Sequence, residues 1–504
     1  MIKFGTSGWR GIIADDFTFD NVKLVSQAIA DYIKSEIRKT EIRRLGKIKN
    51  PISQSPAVII GYDTRFHSDN FAKISSTVFA ANGIKTLLTK RDCPTPVISY
   101  EILRRKIAGG LNFTASHNPP EYNGLKFSPS WGGPALPETT EEIEKKLQIT
   151  NYKLRIKEMS YDEGKGKKLI EEIEPEKSYI KRIKELVDLS AIKKSNIKMV
   201  VDVLYGTGRG YLDKILIDSG CKIKVLHNFR DVLFGGNPPE PAKKNLSELL
   251  QILKKEKYQL GLATDGDADR FGIIDGDGTF IAPNETISLL LNHLVQTRKW
   301  NGVVARSVMT THLIDAVAKK HNVEVRETPV GFKYIGEVMT KEKMIIGGEE
   351  SGGLTIMGHI PEKDGILACL LVAEMVAVNK KPIREILKQI YREVGMILSD
   401  RLNFHLSPEK MNSIKSKLEK NPPSEIASIR VKNINKMDGY KFLLEDGSWI
   451  GLRLSGTEPV VRIYVEADSR KKIDKLILAS KGFLEAYESI KHLPRISRIK
   501  KKRN

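Results

Sequence analysis

Ala57-Val58-Ile59-Ile60-Gly61-Tyr62-Asp63-Thr64-Arg65 is a short apolar run that ends in turn-forming residues. A helix-period pattern follows from Ser68 to Asn82, then Gly83 and a second apolar run, Ile84 to Leu88. The order predicts strand, turn, helix, strand. The unit recurs twice. Ile197 to Leu204 leads through Tyr205-Gly206-Thr207-Gly208-Arg209-Gly210 into a helix ending near Gly220, then Lys222 to Leu226. Val303 to Val308 leads through Met309-Thr310-Thr311 into a helix ending at Lys320, then Val323 to Glu327. Three widely spaced βαβ-type units predict three related α/β domains with mixed or mostly parallel sheets. The glycines after Leu204 are no dinucleotide fingerprint, because the third falls one position early, and no Gly-Lys-Ser/Thr ending marks a P-loop.

With about 150 residues per domain as a prior, a chain of 504 should hold three to four domains, each able to bury its own core. Composition is that of a globular chain, 40% hydrophobic and 29% charged. Three scattered cysteines without a CxxC pair argue against a disulfide framework or a zinc site and point to a reducing, cytoplasmic setting. Neither a signal-peptide pattern after Met1 nor an apolar run of about 18 residues is present, so no membrane partner is expected. The formal charge of +21 is carried largely by surface-type stretches, Lys34 to Lys49 and the tail Lys491 to Asn504. No nucleic-acid-binding pattern accompanies it. A basic surface that attracts anionic small molecules is the expectation, rather than nucleic acid as the main partner.

The next stretch is Thr114-Ala115-Ser116-His117-Asn118-Pro119-Pro120, followed by Tyr122-Asn123-Gly124 and Lys126. Small and turn-forming residues with two closing prolines present the Ser116 hydroxyl from a stiff backbone, as a nucleophile or phosphate carrier needs. Read alone, it is better taken as an ordinary Ser/Asn/Pro turn, and only the rest of the chain reverses that. At the N-terminus, Gly8-Trp9-Arg10-Gly11 places a permanently charged guanidinium between glycines, a weak phosphate-binding signal.

Asp265-Gly266-Asp267-Ala268-Asp269-Arg270 follows the strand-like Leu260 to Ala263. Carboxylates at alternate positions, spaced by small residues, curl around one hard cation, and without it they repel. An EF-hand is excluded, since its sixth position would be Arg270 and its twelfth Gly276. Further along stand Thr328-Pro329-Val330-Gly331-Phe332-Lys333 and, after an apolar run, Gly347-Gly348-Glu349-Glu350-Ser351-Gly352-Gly353. A carboxylate and a hydroxyl two apart at a strand end suit neighbouring sugar hydroxyls. His359 and Lys363-Asp364-Gly365 precede an apolar helix, Ile366 to Val378. From about Ser399 the character changes: Asp438-Gly439 and Asp446-Gly447 punctuate alternating segments that read as hairpins. There Leu452-Arg453-Leu454-Ser455-Gly456-Thr457-Glu458-Pro459, with Arg462 nearby, has the makings of an anion nest.

In this order the four motifs resemble the phosphoserine, metal, sugar and phosphate loops of the α-D-phosphohexomutases, the phosphoglucomutase and phosphomannomutase family. The resemblance covers about residues 1 to 490. It implies three α/β domains and a smaller C-terminal α+β domain around a central cleft, with boundaries at 1–160, 161–278, 279–395 and 396–490 and a basic tail at 491–504. It further implies that Ser116 carries a phosphoryl group and, with Asp265, Asp267 and Asp269, holds Mg²⁺. Glucose 1,6-bisphosphate would be activator and bound intermediate. Lys126, with Arg10 and His117, would handle the proton, Lys126 through a pKa lowered in an electropositive setting. Sugar contacts would fall to Glu349 and Ser351, helped by Arg270, Thr328, Gly331 and Lys333, with His359 and Lys363 beside them. The second phosphate would be anchored by Arg453, Ser455, Gly456, Thr457 and Arg462. The His359 to Gly365 string looks like phosphoglucomutases, and Gly353 stands where many phosphomannomutases and phosphoglucosamine mutases have histidine. Glucose phosphates are therefore expected ahead of mannose or glucosamine phosphates, on a monomer or homodimer. A sugar phosphatase and a non-catalytic sugar-phosphate sensor are the alternatives from other classes.

Overall fold

All three predicted strand–helix–strand units are present in the computed structural model, which describes residues 2–45, 56–454 and 460–489. The chain divides into two compact units, residues 1–394 and 395–504. In the first, strands β1 (Trp9–Ile12), β2 (Ala57–Tyr62), β3 (Lys85–Thr89), β4 (Gly109–Phe113), β5 (Tyr122–Pro129) and β6 (Ile170–Ile173) form a sheet in the order β1-β5-β4-β2-β3-β6. The Val58-Ile59-Ile60 run is buried on both faces, as a central parallel strand between two helical layers must be. The helix Ser68–Ala81 buries Phe71, Ala72, Val78 and Phe79. It stops where Gly83 turns left-handed at φ 74°.

A second sheet contains β7 (Lys198–Asp202), β8 (Lys222–Leu226), β9 (Leu260–Thr264), β10 (Phe271–Asp275) and β11 (Phe280–Ile281), in the order β11-β10-β9-β7-β8. A third contains β12 (Val303–Ser307), β13 (Glu324–Thr328), β14 (Met344–Glu349) and β15 (Gly353–Ile356), in the order β13-β12-β14-β15. One wiring diagram runs through all three. The first strand of each repeat pairs in parallel with the second on one side and the third on the other. The third strand then turns back into an antiparallel fourth. The sheets are therefore mixed, and each domain carries one hairpin at the same topological position. The helix Gly365–Asn379 is buried on every face through Ala377, which explains its lack of a polar stripe, and Asp364 Oδ1 caps it by accepting from Leu367 N at 2.9 Å.

The second unit is a six-stranded antiparallel sheet. Its strands are β16 (Leu398–His405), β17 (Glu425–Ile426), β18 (Ile429–Asn435), β19 (Tyr440–Leu444), β20 (Trp449–Leu454) and β21 (Val460–Ala467), in the order β16-β21-β20-β19-β18-β17. Gly439 and Gly447, both at φ 84°, make the two expected hairpin turns. The fold is thus three α/β domains and a C-terminal α+β domain.

Outside the motifs, His227 follows β8 with both ring nitrogens on carboxylates, Nδ1 at 2.8 Å from Asp202 and Nε2 at 3.2 Å from Glu248. The Asp202 hydrogen bond raises its pKa, more than burial lowers it. A pKa raised by folding means a contribution to stability that is whole below the unfolded value of about 6.5 and fades as pH climbs through the folded value. His227→Gln should flatten the fall in melting temperature from about pH 6.5 upward. Parallel wild-type and variant curves would remove His227 as the cause.

Candidate active site

The three motif loops of the first unit are the same element repeated. Thr114–Glu121 joins β4 to β5, Asp265–Arg270 joins β9 to β10, and Glu350–Gly352 joins β14 to β15. Equivalent hairpins at strand ends gather the first two loops to direct contact. Ser116 is 1% exposed and its Oγ donates to Asp265 Oδ2 at 2.6 Å. A Cβ on Gly266 would lie 2.7 Å from the Ser116 carbonyl, so glycine is what lets the aspartate loop approach the serine loop. Ser116 itself sits at φ 53°, a left-handed conformation that costs a non-glycine residue about 1 kcal/mol.

Asp265, Asp267 and Asp269 are buried, with one oxygen of each within 4.8 Å of the others. Burial and the neighbouring Asp267 and Asp269 push the Asp265 carboxyl far above the usual range. Burial works the same way on Asp269, but Lys126, Lys363 and Arg270 bring it below the usual range. Among the described residues, Asp267 Oδ1 and Asp269 Oδ1 are buried without a hydrogen-bond partner. Two orphaned carboxylate oxygens in an all-oxygen cluster fit a hard divalent cation such as Mg²⁺.

Lys126 is 6% exposed and donates to Asp267 Oδ2 at 2.5 Å and Asp269 Oδ2 at 2.7 Å. Burial would lower its pKa, but the two carboxylates outweigh that and raise it. The electropositive setting expected for this lysine is thus corrected: it is a charged ammonium bridging two aspartates. Burial and the nearby Arg270 lower Arg10 to about 10, and its Nη1 donates to Asn118 Oδ1 at 2.5 Å. Partly buried His117 is held neutral, its pKa lowered by burial and by Arg270 and Arg10. Its Nδ1 lies 3.4 Å from Ser116 Oγ.

Arg270 stands beside Asp269, with Nε at 4.0 Å from the carboxylate, and its backbone N–H donates to Asp265 Oδ1 at 3.0 Å. Lys363 also reaches this loop, with Nζ 3.1 Å from Asp269 and 3.0 Å from Glu362. A Cβ on Gly353 would fall 2.1 Å from Lys363 Cδ. Glycine at 353 therefore leaves room for the lysine stem. Glu349 is buried and accepts from Gly331 N at 2.7 Å, which joins the two sugar-loop stretches. Burial and the adjacent Glu350 raise its carboxyl to about 7. Ser351 is half-buried at the hairpin tip, Lys333 lies over the Tyr334 ring, and Thr328 Oγ1 donates to the Pro329 carbonyl. His359 is buried at 2.7 Å from Asp364, which also accepts from Tyr179.

In the C-terminal unit, Arg453 and Arg462 are paired positions on β20 and β21, and Arg453 Nε donates to Asp438 at 2.9 Å. Ser455, Gly456 and Thr457 lie outside the described residues, as do residues 46–49 of the basic stretch Lys34 to Lys49 and the whole tail 491–504.

Sequence reasoning missed Arg65, Thr95 and Asn112. Thr95 Oγ1 donates to Asp267 Oδ2 at 2.5 Å and accepts from Asn112 Nδ2 at 2.8 Å, which fixes one aspartate from behind. The available signal for Arg65 was its place in Asp63-Thr64-Arg65, charged residues directly after an apolar strand.

Comparison with known proteins accords with this arrangement. Domain models of phosphoglucomutase/phosphomannomutase match in order, α/β/α domain I at residues 1–153, II at 177–278, III at 282–394 and the C-terminal domain at 412–479. A phosphoglucomutase/phosphomannomutase of Thermococcus kodakarensis is 29% identical, over 93% of this chain and 95% of that protein. A probable phosphoglucosamine mutase of Methanopyrus kandleri is 28% identical, over 94% and 95%. The crystal structure of a putative phosphomannomutase from Thermus thermophilus matches with TM-score 0.80 and 31% identity, over 96% of this chain and 99% of that one. Four domains of one family in their proper order along the chain, together with a serine that bonds to a triple-aspartate loop, make the chain a member of the phosphoglucomutase/phosphomannomutase family, the phosphohexomutases, which are isomerases.

Proposed function

We propose that the protein interconverts hexose 1-phosphate and hexose 6-phosphate, glucose phosphates first, through a phosphoserine at Ser116 and a bound glucose 1,6-bisphosphate. The observation that carries this reading is the 2.6 Å bond between Ser116 Oγ and Asp265, which sets a serine hydroxyl on the one carboxylate cluster suited to a cation among the described residues. Asp265, Asp267 and Asp269, with the serine phosphate, would hold Mg²⁺. When bound, Mg²⁺ supplies positive charge that offsets the build-up on the transferring phosphoryl group.

In the forward half, the P–Oγ bond of phosphoserine breaks as a sugar hydroxyl oxygen bonds phosphorus. The hydroxyl proton passes to neutral His117, with charged Lys126 and Arg10 beside it, and is returned to the released Ser116 Oγ, which lies 3.4 Å from His117 Nδ1. The bisphosphate turns over, and its other phosphoryl group returns to Ser116. Glu349 and Ser351 read the sugar, assisted by Arg270, Lys333 and Lys363, while Arg453, Arg462, Ser455, Gly456 and Thr457 take the phosphate that is not reacting. The likeness of the His359 to Gly365 string, and of Gly353, to phosphoglucomutases is what puts glucose ahead of mannose or glucosamine phosphates.

The test is ³¹P NMR of the protein with Mg²⁺, a trace of glucose 1,6-bisphosphate, and glucose, mannose or glucosamine 1-phosphate in parallel. Fastest growth of the glucose 6-phosphate signal is expected. A faster signal from another sugar would reassign the substrate, and inorganic phosphate alone would make the protein a phosphatase.

A further inference from the structure

Arg65 is fully buried, and a guanidinium has five N–H donors to satisfy. All five are used. Nε donates to Asp63 Oδ2 at 3.1 Å. Nη1 donates to the carbonyls of Pro119 at 2.6 Å and Tyr122 at 3.0 Å, and Nη2 to those of Ser116 at 2.7 Å and Asn118 at 2.6 Å. Four of the five bonds thus go to backbone oxygens within seven consecutive residues of the serine loop. Asp63 orients the fork from the other side, since its Oδ1 accepts from Arg65 N at 3.0 Å and Ser68 Oγ at 2.8 Å. The Phe234 ring lies 5.0 Å from the guanidinium carbon.

We propose that Arg65 is a positioning residue for phosphoryl transfer, which locks the carbonyls of residues 116–122 so that the Ser116 hydroxyl stays on the aspartate loop. The geometry requires such a lock. The left-handed conformation of Ser116 is strained, and a strained backbone persists only where its surroundings over-determine it. Carbonyls of the loop and of Tyr122 at the start of β5, that of Ser116 fully buried, need donors, and one planar fork supplies four. The Ser116 carbonyl is also the atom that a Cβ on Gly266 would meet first, at 2.7 Å, so the group Arg65 grips lies where the serine and aspartate loops meet. Because Arg65 is fully buried with all five donors taken by Asp63 and the loop carbonyls, its loss should slow transfer without loosening the sugar.

The inference rests on the phosphoserine reading, so Ser116→Ala is measured beside it. The substrate is the hexose 1-phosphate that the wild type turns over fastest, with Mg²⁺ and bisphosphate saturating. Arg65→Lys keeps the charge but not the fork, and should lower kcat about 50- to 100-fold with KM and the Mg²⁺ needed for half activity within about threefold of wild type. Asp63→Asn keeps Arg65 and removes the Nε partner, and should lower kcat about five- to tenfold on the same pattern. If Arg65→Lys does not fold, Asp63→Asn decides alone. Wild-type kcat in a folded Arg65→Lys, or in Asp63→Asn where the lysine variant fails, overturns the proposal, as does a rise in KM matching the fall in kcat. Full activity in Ser116→Ala would instead overturn the phosphoserine reading.

Discussion

Ser116→Ala is expected to lose isomerase activity by about 10⁴-fold or more while still binding sugar phosphate with near wild-type affinity. The variant isolates the hydroxyl because the backbone of the loop is held by other groups. Ser116 N donates to Thr114 Oγ1 at 2.8 Å and its carbonyl accepts from Arg65. Alanine keeps those bonds, and its Cβ meets the same left-handed strain that serine already bears. What disappears is the Oγ–Asp265 bond, a loss of about 1–3 kcal/mol at a buried acceptor, and the longer contact with His117 Nδ1. The protein should therefore fold, with a melting temperature lowered by only a few degrees. Isothermal titration with glucose 6-phosphate against a coupled turnover assay separates the two effects. Turnover near the wild-type rate would sink the phosphoserine assignment, and loss of binding together with turnover would mean that the loop had collapsed.

The architecture was legible where one physical signal dominated. Apolar runs such as Val58-Ile59-Ile60, separated by a helix-period pattern and a glycine, could become little else, and the threefold recurrence identified the repeat. The aspartate loop was legible because three alternating carboxylates have no comfortable state without a cation. What stayed hidden was the fourth strand of each repeat. Phe271–Asp275 and Gly353–Ile356 are short segments just beyond a motif, and the motifs drew the eye from the hairpins that carry them. Arg65 was hidden for another reason: a buried arginine and an exposed one are the same letter, and only the fold reveals that four carbonyls converge on it. Lys126 was placed in the site but given the opposite electrostatic setting, because the sequence separates it from Asp267 and Asp269 by 141 and 143 positions. Its charge is set by those distant partners.

Removal of divalent cation should silence the enzyme, and the aspartate loop says how the loss will look. Three buried carboxylates with oxygens within 4.8 Å of each other repel, and Lys126 and Lys363 compensate only part of the charge. Chelation is expected to lower activity at least about 10³-fold, with full recovery on adding Mg²⁺. A cation bound only by the folded protein stabilises it by about 2.7 kcal/mol at one hundred times its dissociation constant, so Mg²⁺ should raise the melting temperature by several degrees. Asp267→Asn separates this effect from bulk ionic strength. Asp267 Oδ2 is already engaged by Thr95 and Lys126, while Oδ1 is buried and unpartnered and is the oxygen free for a metal. Asparagine retains the shape and loses the charge. Its half-activation concentration of Mg²⁺ should rise at least about 10- to 100-fold, and its melting temperature should scarcely respond to millimolar Mg²⁺. A chelated wild type that keeps its activity, or a variant whose Mg²⁺ response matches the wild type, would move the metal away from this loop.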